Sequence, residues 1–312
     1  MTEVSVVMNC HNGQAFLREA IDSIYAQSFC NWEIVFWDNA STDSSSAIAG
    51  SYDHRLKYYH SSDLTTLGSA RRAALSVCSG KWIAFLDVDD VWLPNKLSEQ
   101  LSSLSNTNHI MAYAGITEMN EDGSKIRDYI PKNNTGDIFE SLLFQFDMNI
   151  VTSLILSSAL SDFQINFEDS ITASEEYNLF MRLAAKGSVL VQPILLGKYR
   201  VSSGSLTDRQ IHRWSEERQF TLDQLEEENP GISSRFPSGF AEARARAVYY
   251  KAMYFASQSD FESVNATMKS IANQSYSYML LYLISYSPLC WRALHSLKRN
   301  AIMLSVLQYL QV

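Results

Sequence analysis

The sequence predicts an α/β fold with a mostly parallel sheet flanked by helices, followed by an all-helical C-terminal region. Two observations carry this prediction. Through the first hundred residues, short apolar runs alternate with segments in which apolar residues recur at helical spacing, a pattern typical of strand–helix–strand units with parallel strands. After residue 207 the strand-type runs disappear, and only helical patterns remain.

Four strands are predicted before residue 90. They cover residues 4–8, 33–37, 56–60 and 82–86. Helices with one apolar face are predicted among these strands and directly after them, at residues 16–25, 68–77 and 94–104. Proline at position 94 suits the first turn of a helix, because the amide hydrogen that it lacks has no partner there.

The middle of the chain is less regular. Residues 111–119 and 125–130 flank Asn120-Glu121-Asp122-Gly123, a turn sequence that predicts a β-hairpin. We expect a strand over 150–156, a helix over 175–185, and one or two strands over 189–199. Further helices are expected at 208–228, 238–257, 260–273 and in the final segment. A boundary near Leu206 then divides the chain into two domains, 1–206 and 207–312.

The net charge of −9 is unevenly distributed, because all 34 acidic residues lie at or before Glu262. Residues 263–312 contain four basic residues and no acidic ones. An acidic chain disfavours nucleic acid as the main ligand. The N-terminal residues do not resemble a secretory signal, and no apolar run reaches the ~18 residues that a membrane span needs. We therefore expect a cytoplasmic protein.

Polar side chains follow three of the predicted strands at the point where each strand ends. His11 follows the first strand, Asp38 the second, and Asp87-Val88-Asp89-Asp90 the fourth. Parallel sheets bind ligands beyond the carboxyl ends of their strands, so these side chains form one candidate site. Closely spaced carboxylates repel one another unless a cation compensates them, and their hard oxygens suit Mg²⁺ or Mn²⁺. A solvated acidic turn is the alternative interpretation.

Other candidates have two interpretations each. Glu175 and Glu176 begin a predicted helix, where they either offset the helix dipole or provide a general base for an incoming hydroxyl. Arg71 is either a phosphate ligand or part of an exposed helix face. His11 either stacks on a planar ring or is structural. The sequence contains no GxGxxG, P-loop or GxSxG motif, and its six histidines show no zinc-ligand spacing.

The order of these motifs resembles the family 2 glycosyltransferases, which have a Rossmann-like GT-A fold. Five segments carry the resemblance, which extends over about residues 4–207. They are VSVVMNCHNGQAFLREAIDSI, EIVFWDNASTDSS, GSARRAAL with GKWIAFLDVDDVWLPNKL, SEEYNLFMRLAAKG, and KYRVSSGSLT.

The resemblance implies an inverting transferase that moves a sugar from a nucleotide-sugar donor to a glycan or lipid-linked acceptor, in cell-surface polysaccharide or glycoconjugate synthesis. About residues 1–105 would form the nucleotide-sugar half and about residues 106–206 the acceptor half. Four side chains would contact the nucleotide part of the donor. They are His11, Asp38, Arg71 and Asp87. Asp89 would bind the Mg²⁺ or Mn²⁺ that bridges the diphosphate, and Glu176, with Glu175 beside it, would deprotonate the acceptor hydroxyl.

Two other classes of function stay open. One is a catalytically silent module that binds a nucleotide sugar or a glycan. The other is a nucleotidyltransferase, which also combines a nucleotide fold with acidic metal ligands. The presence of both Asp89 and Glu176 argues against a silent module. The segment after the first strand, CHNGQAF, lacks the Gly-rich basic loop that a nucleotidyltransferase uses for triphosphate.

The basic C-terminal segment shows an amphipathic pattern. Leu294, Leu297, Ala301 and Leu304 recur at helical spacing near Trp291, Arg292, Lys298 and Arg299. Such a pattern suits a helix that rests on the anionic inner face of a membrane. It equally suits a helix that packs on the body of the protein or on another subunit in an oligomer.

Overall fold

The computed structural model describes residues 2–201 and 210–297. The chain divides into two compact units, Met1–Ser205 and Leu206–Val312. The first unit is built on a nine-stranded sheet, and the described part of the second unit is helical.

The nine strands of the first unit are named in chain order. They are β1 (Val4–Cys10), β2 (Trp32–Asn39), β3 (Leu56–Ser61), β4 (Trp82–Phe85), β5 (Val91–Trp92), β6 (Met111–Met119), β7 (Lys125–Tyr129), β8 (Leu154–Leu156) and β9 (Val189–Arg200). In the sheet they follow the order β3-β2-β1-β4-β8-β6-β9-β5, with β7 beside β6.

The helices of the first unit lie between these strands. They are α1 (Leu17–Tyr25), α2 (Ser45–Ala49), α3 (Leu67–Leu75), α4 (Lys96–Leu104), α5 (Phe139–Phe144), α6 (Ser157–Asp162) and α7 (Glu175–Ala184). The described helices of the second unit are α8 (Ile211–Glu228), α9 (Ile232–Arg235), α10 (Pro237–Ser257), α11 (Phe261–Ile271), α12 (Tyr276–Ser285) and α13 (Pro288–Leu297).

The half of the sheet that carries the predicted site is parallel throughout. Strand β1 is buried along its whole length and pairs in parallel with β2 on one side and β4 on the other. The register places Cys10 opposite Asp38, so the carboxyl ends of β1 and β2 lie at the same edge. Buried parallel strands read as continuous apolar runs, which explains why the sequence pattern predicts them well. The α/β fold prediction is confirmed.

The strand expected at residues 150–156 is only partly present. A turn of 3₁₀ helix occupies Ile150–Thr152, and β8 covers only Leu154–Leu156. The side chain of Asn149 accepts a hydrogen bond from the Val151 amide at 2.9 Å, which fixes the turn. The prediction was wrong here because a side chain replaces the ladder hydrogen bond that a strand would make.

Helices α10 to α13 enclose an apolar core of their own. Its members include Tyr249, Ala252, Val264, Met268 and Trp291. The predicted helices of this region are present in its described part. Positions 298–312, which carry the second half of the predicted amphipathic pattern, lie outside the described residues.

No helix within residues 2–201 and 210–297 combines the length and the apolarity that crossing a membrane requires.

Candidate active site

The loops after β1 and β2 are held against each other at the carboxyl edge of the sheet. Asn12 and Ala40 adopt left-handed backbone conformations, with φ of 55° and 60°. The Asn12 side-chain oxygen accepts a hydrogen bond from the Thr42 amide at 2.8 Å. A Cβ added at Gly13 would lie 2.9 Å from Val88, so only glycine lets this loop approach the loop after β4. The three strand ends therefore form one continuous surface.

Asp38 is fully buried at the end of β2, and both of its carboxylate oxygens accept hydrogen bonds. The Ser41 amide donates to Oδ1 at 2.8 Å, and the Tyr58 hydroxyl donates to Oδ2 at 2.6 Å. On the neighbouring loop, His11 is exposed, and its Nδ1 lies 2.9 Å from the Asn39 carbonyl oxygen. A carbonyl only accepts, so Nδ1 carries the proton and Nε2 is left as an acceptor.

Arg71 connects the end of β4 with the start of α7. Its side chain is 2% exposed, and Nη2 donates to both oxygens of Asp87, at 2.9 and 3.1 Å. Its Nη1 lies 3.5 Å from Oε1 of Glu176. Burial alone would lower the pKa of Arg71, but the charges of Asp87, Glu176 and Glu175 outweigh burial and raise it. The guanidinium therefore stays charged and holds carboxylates of two separate elements together.

Glu176 is the carboxylate in this site whose proton affinity is suited to catalysis near neutral pH. Burial raises the pKa of Glu176 to about 7, the charges of Asp87 and Glu175 add to the rise, and Arg71 opposes it. A third of the Glu176 side chain remains exposed, so a ligand can reach it, whereas Glu175 is buried. A carboxylate with these properties can accept a proton from a hydroxyl.

Asp89 and Asp90 have different environments although they are neighbours in sequence. Burial and the charge of Asp87 raise the pKa of Asp89 to about 6, and Asp89 is partly exposed. Asp90 is buried, and its Oδ1 accepts a hydrogen bond from the Arg200 amide at 2.8 Å. Burial raises the pKa of Asp90 well above its usual value. Asp90 thus belongs to the framework, and Asp89 is the carboxylate open to a ligand.

The side chains present fit a magnesium or manganese ion that is shared with a ligand. Within residues 2–201 and 210–297, no group of three or more His, Cys, Asp or Glu side chains is placed to hold a metal by itself. Asp89 offers hard carboxylate oxygens, and no cation of the described chain forms an ion pair with it, whereas Asp87 is paired with Arg71. Mg²⁺ typically takes one or two carboxylates and completes its shell with water and phosphate oxygens.

The sequence matches the family model of glycosyl transferase family 2 over residues 5–169, slightly more than half of the chain. The chain belongs to this family. Two relatives illustrate the match. An uncharacterised glycosyltransferase of Rickettsia felis is 29% identical over 217 residues, which cover 69% of this chain but 35% of the relative. WfgD of Escherichia coli is 26% identical over 211 residues, which cover 67% of this chain and 81% of WfgD.

Solved structures of other glycosyltransferases share the fold. TarS 1-349 of S. aureus matches with a TM-score of 0.68 and 15% identity, over 95% of this chain and 92% of that chain. The mannosyltransferase PcManGT of Pyrobaculum calidifontis matches with a TM-score of 0.60 and 15% identity, over 93% of this chain and 86% of that chain. This family 2 glycosyltransferase therefore has a GT-A-type fold.

Arg200 of this glycosyltransferase is a structural residue of the site. Its Nε donates to the carbonyl oxygen of Asp89 at 2.8 Å, and its Nη1 donates to the carbonyl oxygen of Glu121 at 2.8 Å. Nη2 forms an ion pair with Glu19 at 2.6 Å, and the guanidinium lies 4.3 Å from the centre of the Phe16 ring. Arg200 therefore ties the end of β9 to α1, to the hairpin turn and to the loop that carries Asp89.

Tyr58, whose hydroxyl donates to Asp38, is not among the site residues that the sequence predicts. The parallel register of β2 and β3 pairs Tyr58 with Phe36. This pairing places Tyr58 on the face of the sheet that carries Asp38, so the register is the signal that would have identified Tyr58. Pattern analysis alone does not provide a register. Asn9 is also absent from the predicted site residues; its side chain is buried at the end of β1, and its Nδ2 has no hydrogen-bond partner.

Proposed function

We propose that this family 2 glycosyltransferase is a metal-dependent, inverting enzyme. It moves a hexosyl group from a nucleotide-sugar donor to a hydroxyl of a glycan or lipid-linked acceptor, in the synthesis of cell-surface polysaccharide or glycoconjugate. The observation that carries the proposal is the contact of Arg71 with both Asp87 and Glu176. It joins a predicted donor ligand and a predicted base through one buried guanidinium.

The donor lies across the carboxyl ends of β1, β2 and β4 in this proposal. His11 and the strand end that the buried Asp38 fixes lie against the base, and Asp87, held by the buried Arg71, contacts the nucleoside side of the donor. Asp89 would hold Mg²⁺ or Mn²⁺, which when bound would supply positive charge for the departing diphosphate. Residues 1–105 then form the nucleotide-sugar half of domain 1–206, and residues 106–206 form the acceptor half.

Glu176 acts as the general base on the face of the sugar opposite the diphosphate. It accepts the proton of the acceptor hydroxyl while the hydroxyl oxygen forms a bond to the anomeric carbon. The bond from that carbon to the phosphate oxygen breaks, and the nucleoside diphosphate leaves with both electrons. A single displacement of this kind inverts the anomeric configuration. Burial raises the pKa of Glu176, the charges of Asp87 and Glu175 add to the rise, and Arg71 limits it so that Glu176 still ionises near pH 7.

The names of the relatives support the substrate class. WfgD is named as a UDP-glucose-dependent glucosyltransferase that acts on an N-acetylglucosamine-diphosphoundecaprenol. One TarS structure contains UDP-GlcNAc, and the PcManGT structure contains GDP-mannose and Mn²⁺. This chain spans about a third of the length of the Rickettsia felis relative. We accordingly infer a nucleotide sugar and a lipid-linked or glycan acceptor, and a place at the cytoplasmic face of the membrane.

A donor screen tests the proposal. The protein is incubated with UDP-glucose, UDP-GlcNAc or GDP-mannose, with and without Mn²⁺, and released nucleotide is measured. We expect slow, Mn²⁺-dependent release of a nucleoside diphosphate from one donor, and the loss of that release in Glu176→Gln with donor binding retained. Formation of pyrophosphate from a nucleoside triphosphate and a sugar phosphate would instead identify a nucleotidyltransferase. Binding without turnover, with acceptors present, would identify a silent module.

A further inference from the structure

Helix α12 and the residues after it expose a row of large apolar side chains. The row, which we name the apolar face, consists of Tyr276, Met279, Leu280, Leu283, Tyr286 and Leu289. Exposure in this row ranges from 37% at Met279 to 96% at Tyr276. The spacing of three and four residues puts Tyr276, Met279, Leu280 and Leu283 on one side of α12, and Tyr286 and Leu289 follow directly after that helix. A contiguous exposed patch of this kind marks an interaction surface more often than a row of isolated residues does.

The opposite side of α12 is already used by the core of the second unit. Tyr278, Leu281 and Ser285 are buried there. The helix is therefore apolar on both sides, and packing within the unit accounts for only one of them. A helix that is apolar all round is normally covered on all sides.

In the described part of the predicted amphipathic pattern, the side chains near Trp291 pack on the body of the protein, which was one of its two interpretations. Trp291 is 1% exposed and packs in the core, where its ring lies 4.5 Å from that of His295. Leu294 packs against the same core. Because Trp291 and Leu294 are used internally, the exposed apolar surface of the described residues in this region is the apolar face.

The charged side chains of the segment that carries the apolar face all have one sign. Residues 263–312 contain no acidic residue. In the described part of this range, Lys269 and Arg292 are exposed, and Lys298 and Arg299 follow in sequence beyond the described residues. The residues up to Glu262 carry every carboxylate side chain of the protein. An anionic surface would therefore attract the end of the chain with the apolar face and repel the acidic first part.

We propose that the apolar face docks on the surface of a bilayer that contains anionic phospholipid. Its two tyrosines, Tyr276 and Tyr286, suit the boundary between headgroups and acyl chains, where an apolar ring and a polar hydroxyl are both accommodated. A second copy of the chain would fit the apolar face less well than an anionic bilayer does. A symmetric dimer through this face would bring the basic residues of both copies together. The purpose of docking, which is access to a lipid-linked acceptor, rests on the proposed function.

Vesicle co-sedimentation tests the docking without donor or acceptor. The full-length protein is mixed with vesicles of phosphatidylcholine alone, or of phosphatidylcholine with phosphatidylglycerol. We expect pelleting with the second kind, weakened by high salt, and at least about a tenfold loss of partitioning in the double variant Leu280→Ser with Leu283→Ser. The matched control, Ile126→Ser with Ile194→Ser, removes exposed apolar side chains from the first unit and is expected to pellet like the wild type.

Far-ultraviolet circular dichroism and thermal melting establish that both double variants are folded. Wild-type protein that stays in the supernatant with phosphatidylglycerol vesicles would overturn the proposal. Pelleting of the Leu280/Leu283 variant to the same extent as the wild type would also overturn it. A third contradicting result would be a wild-type dimer in sedimentation velocity that dissociates in this variant. Release of nucleoside diphosphate from a donor in solution is a separate readout. If pelleting is lost while release continues, the docking is wrong and the proposed function stands; if release is absent while pelleting persists, the reverse holds.

Discussion

The Arg71 guanidinium donates from one nitrogen to both carboxylate oxygens of Asp87, and this fork lies beneath the exposed surface of the site. Removing the charge with Arg71→Met would leave Asp87 and Glu176 as like charges without their shared partner. We expect the free energy of unfolding to fall by about 2 kcal/mol, because Asp87 and Glu176 remain partly solvated, which limits the loss. Urea denaturation measures the change.

The adjacent residue provides a matched control for this substitution. Arg72 is exposed on α3 and pairs at 3.3 Å with Asp169, which is also exposed. Exposed ion pairs contribute little, so Arg72→Met is expected to change the free energy of unfolding by less than about 0.5 kcal/mol. If Arg71→Met and Arg72→Met destabilised the protein equally, the buried network would not have the role assigned to it.

The proton affinity of Glu176 predicts how transfer depends on pH. Its pKa of about 7 means that the base is increasingly protonated below neutral pH. We expect kcat/KM to fall about tenfold per pH unit well below pH 7 and to level off above it, since only the ionised carboxylate accepts a proton. In Glu175→Gln the loss of a nearby negative charge should lower the pKa of Glu176 and move the profile to lower pH. A profile that does not move would show that Glu175 does not act on the base.

The same pKa predicts a pH dependence of stability. Because folding raises the pKa of Glu176 from its ordinary value of 4.5 to about 7, the folded state binds the proton more tightly than the unfolded state does. The stability that this group contributes is fully present below its unfolded pKa and is lost as pH rises through its folded pKa. Relative to Glu176→Gln, the wild type should therefore lose stability between pH 5 and pH 8. Urea midpoints of both proteins across this range measure the difference.

The strand ends could be predicted from sequence because buried parallel strands leave a simple pattern. Each strand is a continuous apolar run, and the polar residues that follow it fall at one edge by the topology of the sheet. His11, Asp38 and Asp89 follow from that rule. The edge strand β5, with two residues, is too short to give a pattern of its own.

The contacts that distinguish one carboxylate from another could not be predicted. Arg71 and Glu176 are 105 residues apart in sequence, and periodicity does not indicate which side chain of α3 turns toward α7. Likewise, sequence alone does not distinguish the roles of Asp89 and Asp90, because both are aspartates at adjacent positions. Only the hydrogen bond from the Arg200 amide shows that Asp90 faces inward. These differences in burial and hydrogen bonding arise from tertiary packing between elements. Local sequence patterns do not reveal that packing.

Arg200 predicts a coupling between the end of β9 and the loop that carries Asp89. In Arg200→Ala the carbonyl oxygens of Asp89 and Glu121 lose a buried charged donor. We expect the free energy of unfolding to fall by about 2 kcal/mol. We also expect a higher Mn²⁺ concentration for half-maximal donor turnover, because the Asp89 loop is released. A titration of Mn²⁺ at saturating donor measures this second effect, which a purely structural role distant from the site would not produce.

Glu19→Gln is the control for the Arg200 variant. Its side chain is more than half exposed, and glutamine can still accept the hydrogen bond from Arg200. The change in the free energy of unfolding should stay below about 1 kcal/mol. The Mn²⁺ requirement should not change. An unchanged Mn²⁺ requirement in Arg200→Ala itself would contradict the coupling.

Asp89 and Asp90 provide the sharpest test of the metal assignment, since the two substitutions are chemically identical and adjacent. Thermal melting with the nucleoside diphosphate of the active donor and Mn²⁺ measures binding as an increase in Tm. At ligand near one hundred times its Kd, binding should stabilise the wild type by about 2.7 kcal/mol. Asp89→Asn should lose the Mn²⁺-dependent part of this increase. Asp90→Asn should keep it, because its buried side chain can still accept from the Arg200 amide.

The same two substitutions should act in different ways when no ligand is present. Burial and the charge of Asp87 make the ionised Asp89 unfavourable in the folded state, with a pKa of about 6. Asp89→Asn should therefore raise the Tm of the protein alone at pH 7 while it abolishes the Mn²⁺ response. A gain of intrinsic stability together with a loss of metal-dependent binding is the expected signature of a carboxylate whose role is to bind a ligand. Retention of the full Mn²⁺ response in Asp89→Asn would move the metal ligand to another residue.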